Sequence, residues 1–237
     1  DYSGVYHGPC HCENCKRLFK EQYGLDIPDR DDPRSPDYRK YAAFKSACTK
    51  AQRERLVQTV RSISPELAIN NVDYIRTESA TEIGVPQWQY SASCNARRTA
   101  GPLRLRPADN ASVDFMGFRY RDSSVSAGQL ALRQWQNLAN AGSVSLYIMG
   151  HLDNHKDRTA LNASKAAFAF HREHEALYRG LQSAAKVLLV TKPIMARSDP
   201  EVYGWVRALT ESHIPFDEVK LAELTPELLR RWDVVIL

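Results

Sequence analysis

Three cysteines fall within six residues in Gly8-Pro9-Cys10-His11-Cys12-Glu13-Asn14-Cys15. Thiolates are soft ligands, and a tetrahedral zinc site takes four such groups. Cys10, Cys12 and Cys15 supply three, at a spacing that one tight turn can satisfy. The alternative is a set of small buried thiols at a loop–helix junction. Cys48 and Cys94 are the remaining thiols, and Cys48 reads as a core position on its helix. An odd, bunched set argues against a disulfide framework. The carboxylates that follow strand-like segments are the second group able to do chemistry. Glu78 closes one such segment and precedes a polar loop, and Asp153 follows another in Gly150-His151-Leu152-Asp153-Asn154-His155. Glu82 and Asp122 sit in comparable loops. Trp88, Tyr90, Arg119 and Tyr120 also follow strand ends, and His151 and His155 add donors.

The elements that must position these groups come from a chain of 237 residues, 43% hydrophobic and 25% charged, with a net charge of +4. That is an ordinary globular balance. Charges of both signs are interspersed, so no basic stripe for nucleic acid emerges. No apolar run approaches the ~20 residues that span a bilayer. Both ends read as strands under way, so the sequence is expected to be an internal segment of a longer protein.

Helices are expected over 13–23, stopped by Gly24, and over 37–63, where apolar residues recur at three- and four-residue steps. Further helices are expected over 90–100, 126–141 (stopped by Gly142), 162–180 and 200–213. Strands are expected over 1–7, 67–70, 74–78, 113–118, 145–149, 186–190 and 233–237. Their alternation implies βαβ units and a parallel sheet. Trp135 reads as a core residue, and His171 and His174 as satisfied structural histidines.

Five segments together resemble a known family: the cysteine stretch; Glu78-Ser79 with Gln87-Trp88-Gln89-Tyr90; Arg133-Gln134-Trp135-Gln136-Asn137; Phe170-His171-Arg172-Glu173-His174; and the apolar runs 183–190 and 232–237. In that order they look like the glycosyl hydrolase domain, of hypothetical glycosyl hydrolase 6 type, found ahead of a beta-galactosidase trimerisation-like domain. That family is related to family 42 beta-galactosidases and, more loosely, to alpha-L-fucosidases. The resemblance implies an α/β fold: the C-terminal half of a (β/α)8 TIM barrel over 1–183. A flavodoxin-like, class I glutamine-amidotransferase-like domain would begin over 184–237.

The same resemblance implies a two-carboxylate glycosidase acting on a terminal sugar, fucose or galactose, with carboxylates at the C-terminal ends of strands. Glu78 and Asp153 are the catalytic candidates. His7, Trp88, Arg119, Tyr120 and His151 are the sugar-binding candidates, aromatic and planar polar groups suiting sugar faces and hydroxyls. A structural zinc on Cys10, Cys12 and Cys15, with a fourth cysteine from an upstream loop, is implied; in this chain the fourth ligand is that upstream cysteine, is His11, or does not exist. Carbohydrate is the implied partner and a homo-oligomer, in one form a trimer, the implied assembly; no nucleic acid or membrane is expected. The resemblance breaks at Tyr6-His7-Gly8, where fucosidase-like relatives carry an Asp nucleophile. The nucleophile then lies elsewhere, the mechanism inverts, or this member is inactive; the alternatives to an enzyme are a carbohydrate-binding barrel and a structural or oligomerisation protein centred on the C-terminal α/β domain.

Overall fold

The computed structural model describes residues 8–70, 72–79, 88–101, 108–191 and 200–237, with Trp88 and Phe118 described by backbone alone. The expected strand over 1–7 lies outside them, as do His7 and Glu82. The chain divides into two compact units, Asp1–Leu67 and Ala68–Leu237.

In the first unit, α1 (Glu13–Tyr23) begins at Cys12 and ends at Gly24, whose φ of 68° lets its amide reach the carbonyl of Lys20. A left-handed residue at this position is the ordinary glycine stop. Helix α2 (Pro36–Ile63) starts where the Ser35 hydroxyl accepts from the Tyr38 amide, with Pro36 in the first turn. The two helices meet through Phe19, Tyr41 and Phe44, with Cys15, Tyr23 and Cys48 packed around them. Cys48 is therefore a half-buried wall of that core. Residues 67–70, expected as a buried strand, form none: 67–69 are irregular, Asn70 makes only an isolated parallel bridge to Tyr74, and Leu67 is 54% exposed. Arg61 donates to the carbonyls of Pro65 and Leu67, and the Asp73 carboxylate accepts from the Ile69 amide. Backbone groups used this way are not available to a strand ladder.

The second unit holds two parallel sheets. In the first, β1 (Ile75–Ser79) pairs with β2 (Ala108–Val113). Next, β3 (Gly142–Ser143) and β4 (Leu146–Tyr147) run along the other side of β2 as one interrupted strand. Helices α3 (Ser91–Ala100) and α4 (Ala127–Ala139) form the crossovers. In the second sheet, β5 (Val187–Thr191) lies between β6 (Phe216–Lys220) and β7 (Val234–Ile236). The intervening helices include α7 (Pro200–Glu211). Helices α5 (Leu161–Glu173) and α6 (Glu175–Tyr178) lie between the sheets in sequence, in place of one helix over 162–180.

Three expectations shift. The strand expected over 113–118 lies earlier, at Ala108–Val113, because Asn110 and Ser112 are buried through hydrogen bonds and give no apolar signal. Gly142 does not stop α4; Ala141 takes the left-handed turn at φ 57°, and Gly142 opens β3. A Cβ there would sit 3.1 Å from the Asn137 carbonyl oxygen, so any side chain would press on the helix end where strand and helix approach closely. Strand β6 was not expected, since Asp217 and Glu218 interrupt its pattern.

Candidate functional site

Parallel strands place their C-terminal ends on one edge of the sheet, where α/β proteins gather their ligands. Here the C-terminal ends of β1, β2 and β4 lie at one edge. Side chains alternate along β1. Thr77 and Ser79 point to the helices, where Thr77 Oγ1 donates to Asn110 Oδ1 at 3.1 Å. Asn110 Nδ2 in turn donates to Ser79 Oγ and to Asn137 Oδ1, both at 2.8 Å. Asn95 of α3 donates to Asn110 Oδ1 and to the carbonyl of Glu78.

Glu78 and Arg76 therefore project to the opposite face. Arg76 pairs there with Asp109 at 3.5 Å, and Glu78 is exposed. The motif Arg133-Gln134-Trp135-Gln136-Asn137 is part of the same scaffold. Arg133 donates to the carbonyl of Val113, Gln134 to Ser164, Gln136 to the carbonyl of Gln89 and Asn137 to that of Asn110. Trp135 is not core as expected: it is 40% exposed and meets Phe170 edge-on at 5.0 Å, because its polar neighbours take the inward positions of α4. His174 is satisfied by the carbonyl of Phe170 at 2.9 Å.

Two loops rise beyond β2 and β4. Arg119 and Tyr120, both exposed, sit in a short 3-10 turn after β2. His151, Asp153 and Asn154 share a turn after β4, where Asp153 accepts from the Asn154 amide and Asn154 Oδ1 from the His151 amide. Arg158 pins this turn by donating to the carbonyls of Leu152, Asp153 and His155. A cavity of about 440 Å³ opens between the loops, lined by Arg121, Asp122, Met149, Asn154, His155 and Lys156. Among the described residues no hydrogen bond or ion pair joins Glu78 to Asp153.

The sequence reading missed the anchor under these loops. Asp114 directly follows β2 and is 1% exposed. Its Oδ1 accepts from Ser124 Oγ at 2.6 Å, and its Oδ2 lies 3.4 Å from His155 Nε2. Burial pushes the Asp114 carboxyl up, while the Ser124 hydroxyl and His155 pull it down. Burial brings the Arg133 guanidinium down to about 10, against the field of Asp114, which raises it. Ser124 is held in addition by Asp157, which accepts from its amide at 2.9 Å. The strand-end rule that singled out Glu78 applies equally to Asp114, but it was hidden inside the misplaced strand 113–118.

In the first unit, the ligand atoms of Cys10, Cys12 and Cys15 lie within 4.8 Å of one another. Sulfurs around a tetrahedral ion with bonds of ~2.3 Å stand about 3.8 Å apart, so a small closure fits the three to a metal. Among the described residues no fourth His, Cys, Asp or Glu joins them, His11 included. The Cys10 amide donates to Tyr41 Oη at 2.6 Å, tying the loop to the aromatic core. Backbone and cysteine hydrogen bonds hold the exposed Cys12 thiol down, and burial pushes Cys15 up to about 12. No helix among the described residues is long and apolar enough to cross a membrane.

No protein-family model matches the chain, and no curated protein matches it. Among solved structures, alpha-L-fucosidase isoenzyme 2 from Paenibacillus thiaminolyticus matches 97% of this chain with a TM-score of 0.68 at 21% identity. This chain spans 36% of the length of that one. The likeness is one of fold: a mixed α/β chain with a glycosidase as structural neighbour.

Proposed function

We propose that this chain is part of a glycoside hydrolase that removes a terminal sugar, fucose or galactose, by a two-carboxylate mechanism. The observation that carries the reading is the fold likeness to an alpha-L-fucosidase across 97% of the chain. The edge geometry supports it. Glu78 lies near the end of β1, on the face turned away from the helices, and Asp153 lies in the loop after β4. Both strands flank β2 and run parallel to it.

In this mechanism one carboxyl group protonates the departing glycosidic oxygen. The other attacks the anomeric carbon or activates water against it. Glu78 takes the first role or acts as nucleophile, and Asp153 assists. Trp88, Arg119, Tyr120 and His151 shape the sugar site.

Residues 1–183 form part of a TIM-barrel catalytic domain, and 184–237 begin the trimerisation-like α/β domain of a homo-oligomer. Cys10, Cys12 and Cys15 hold a structural zinc with a fourth ligand from outside the described residues. A bound zinc would fix the loop ahead of α1 and take no part in turnover, because an all-thiolate site leaves no position for substrate.

The test is hydrolysis of aryl alpha-L-fucoside and aryl beta-galactoside by the intact protein, wild type against Glu78→Gln. The expected outcome is a drop in kcat of about a thousandfold or more. Undiminished turnover removes Glu78 from the mechanism. Absent turnover with sugar binding intact turns the reading to a carbohydrate-binding barrel.

A further inference from the structure

Asp114 and His155 form a buried titratable pair that the two-carboxylate mechanism leaves unused. Asp114 is 1% exposed and His155 8%. Asp114 Oδ2 and His155 Nε2 face each other at 3.4 Å, and neither atom has a hydrogen-bond partner. Buried polar atoms are nearly always partnered, so two orphans facing each other point to one shared function.

A small closure satisfies both if the proton sits on Nε2 and is donated to the carboxylate. The Arg133 guanidinium lies within the electrostatic reach of Asp114. A neutral imidazole with its proton on Nε2 leaves Nδ1 as an acceptor. Among the described residues no hydrogen bond occupies Nδ1. His155 also lines the cavity at the strand-end edge. A volume of about 440 Å³ falls in the range of small-ligand pockets, roughly 300–1,000 Å³.

We propose that this cavity is a monosaccharide subsite in which Nδ1 of His155 accepts a hydrogen bond from a ring hydroxyl. Asp114 is the positioning residue that fixes the imidazole's tautomer and angle. Asn154, Arg121 and Lys156 supply donors for further hydroxyls, and Asp122 an acceptor. Asp114 acts through His155 and touches no sugar. The inference rests on the glycosidase reading and names part of its sugar site.

The experiment is calorimetric titration of the intact protein with L-fucose, D-galactose and their monodeoxy analogues. It is run on wild type, His155→Leu and Asp114→Asn. Removing one particular hydroxyl is expected to weaken wild-type binding roughly tenfold. In both variants that deoxy sugar should bind as well as its parent. A merely structural Asp114 would weaken every sugar alike and leave the tenfold step in place, which overturns its positioning role. If parent sugars bind and no hydroxyl is coupled to His155, the subsite is overturned while the glycosidase reading stands. If neither sugar binds the wild type, the subsite is overturned, and turnover of the aryl glycosides decides the glycosidase reading separately. Should Asp114→Asn fail to fold, Ser124→Ala, which removes the hydroxyl tether of Asp114, is read in its place; a shrunken step supports positioning and an unchanged one overturns it.

Discussion

The two sheets of the second unit are held to their helices by opposite means. Between the first sheet and α3 and α4 lie Thr77, Ser79, Asn95, Asn110, Ser112 and Asn137, joined by hydrogen bonds. Around the second sheet lie Leu188, Val190, Val219, Leu228 and Trp232 on one side. Leu189, Val202, Val206, Leu209 and Phe216 lie on the other. Helix α3 serves both, with Asn95 turned to the first sheet and Cys94 packed into the apolar cluster of the second. Directional bonds fix register and strand-end position, whereas apolar contacts fix volume and tolerate sliding. A site that depends on the ends of β1, β2 and β4 gains from the first kind of interface.

The largest break in this division comes where charge enters the apolar side. Glu218 of β6 is 1% exposed and pairs with Arg97 at 2.9 Å and Arg98 at 2.6 Å. Arg97 also lies 4.0 Å over the Phe216 ring. Glu218→Ala leaves two largely buried guanidinium groups without a counter-charge. Removing one partner of a buried pair costs about 4 kcal/mol, and here one carboxylate serves two arginines. Urea denaturation should show the midpoint fall accordingly. A loss below about 1 kcal/mol would place the triad with solvent-screened surface pairs.

The comparison itself is sharpened by two shape-conserving substitutions. Leu188→Met, in a fully buried apolar position, should cost under about 1.5 kcal/mol. Asn110→Leu, of similar volume, strands Asn95, Thr77 and Asn137, and should cost about 3 kcal/mol. Equal costs by thermal or urea unfolding would remove the distinction between the interfaces.

What the sequence made legible follows the same division. The apolar run at 186–190 announced β5 within one residue, and Gly24 announced the end of α1. Strand β2 was misplaced because its inward residues are Asn110 and Ser112, polar groups satisfied by residues up to 33 positions away in sequence. Strand β6 was missed because Asp217 and Glu218 look like surface residues until Ser183, Trp232, Arg97 and Arg98 are folded around them. Of the candidate site, Asp153 and His151 were placed in their loop by strand-end position alone. Asp114 was lost with β2, since its partners Ser124, Arg133 and His155 come from three separate segments.

The smallest expected effect tests how far the polar interface reaches along β2. Asp114 continues that strand, and its carboxyl is raised chiefly by burial. A carboxyl group with a higher folded than unfolded pKa binds more protons in the native state. Stability therefore declines as pH rises from the unfolded value near ~3.9 toward the raised folded value. Asp114→Asn removes that slope and keeps an oxygen for the Ser124 hydroxyl. Asp157, by contrast, is lowered by hydrogen bonds from the Thr159 hydroxyl and the Ser124 amide. Its contribution is lost as pH falls, which is the opposite sign. Urea midpoints of wild type and Asp114→Asn, compared at steps of pH from 4 upward, should therefore separate, the wild type losing ground as pH increases. Parallel curves would mean that Asp114 keeps an ordinary carboxyl in the fold and that the polar interface ends with Ser112.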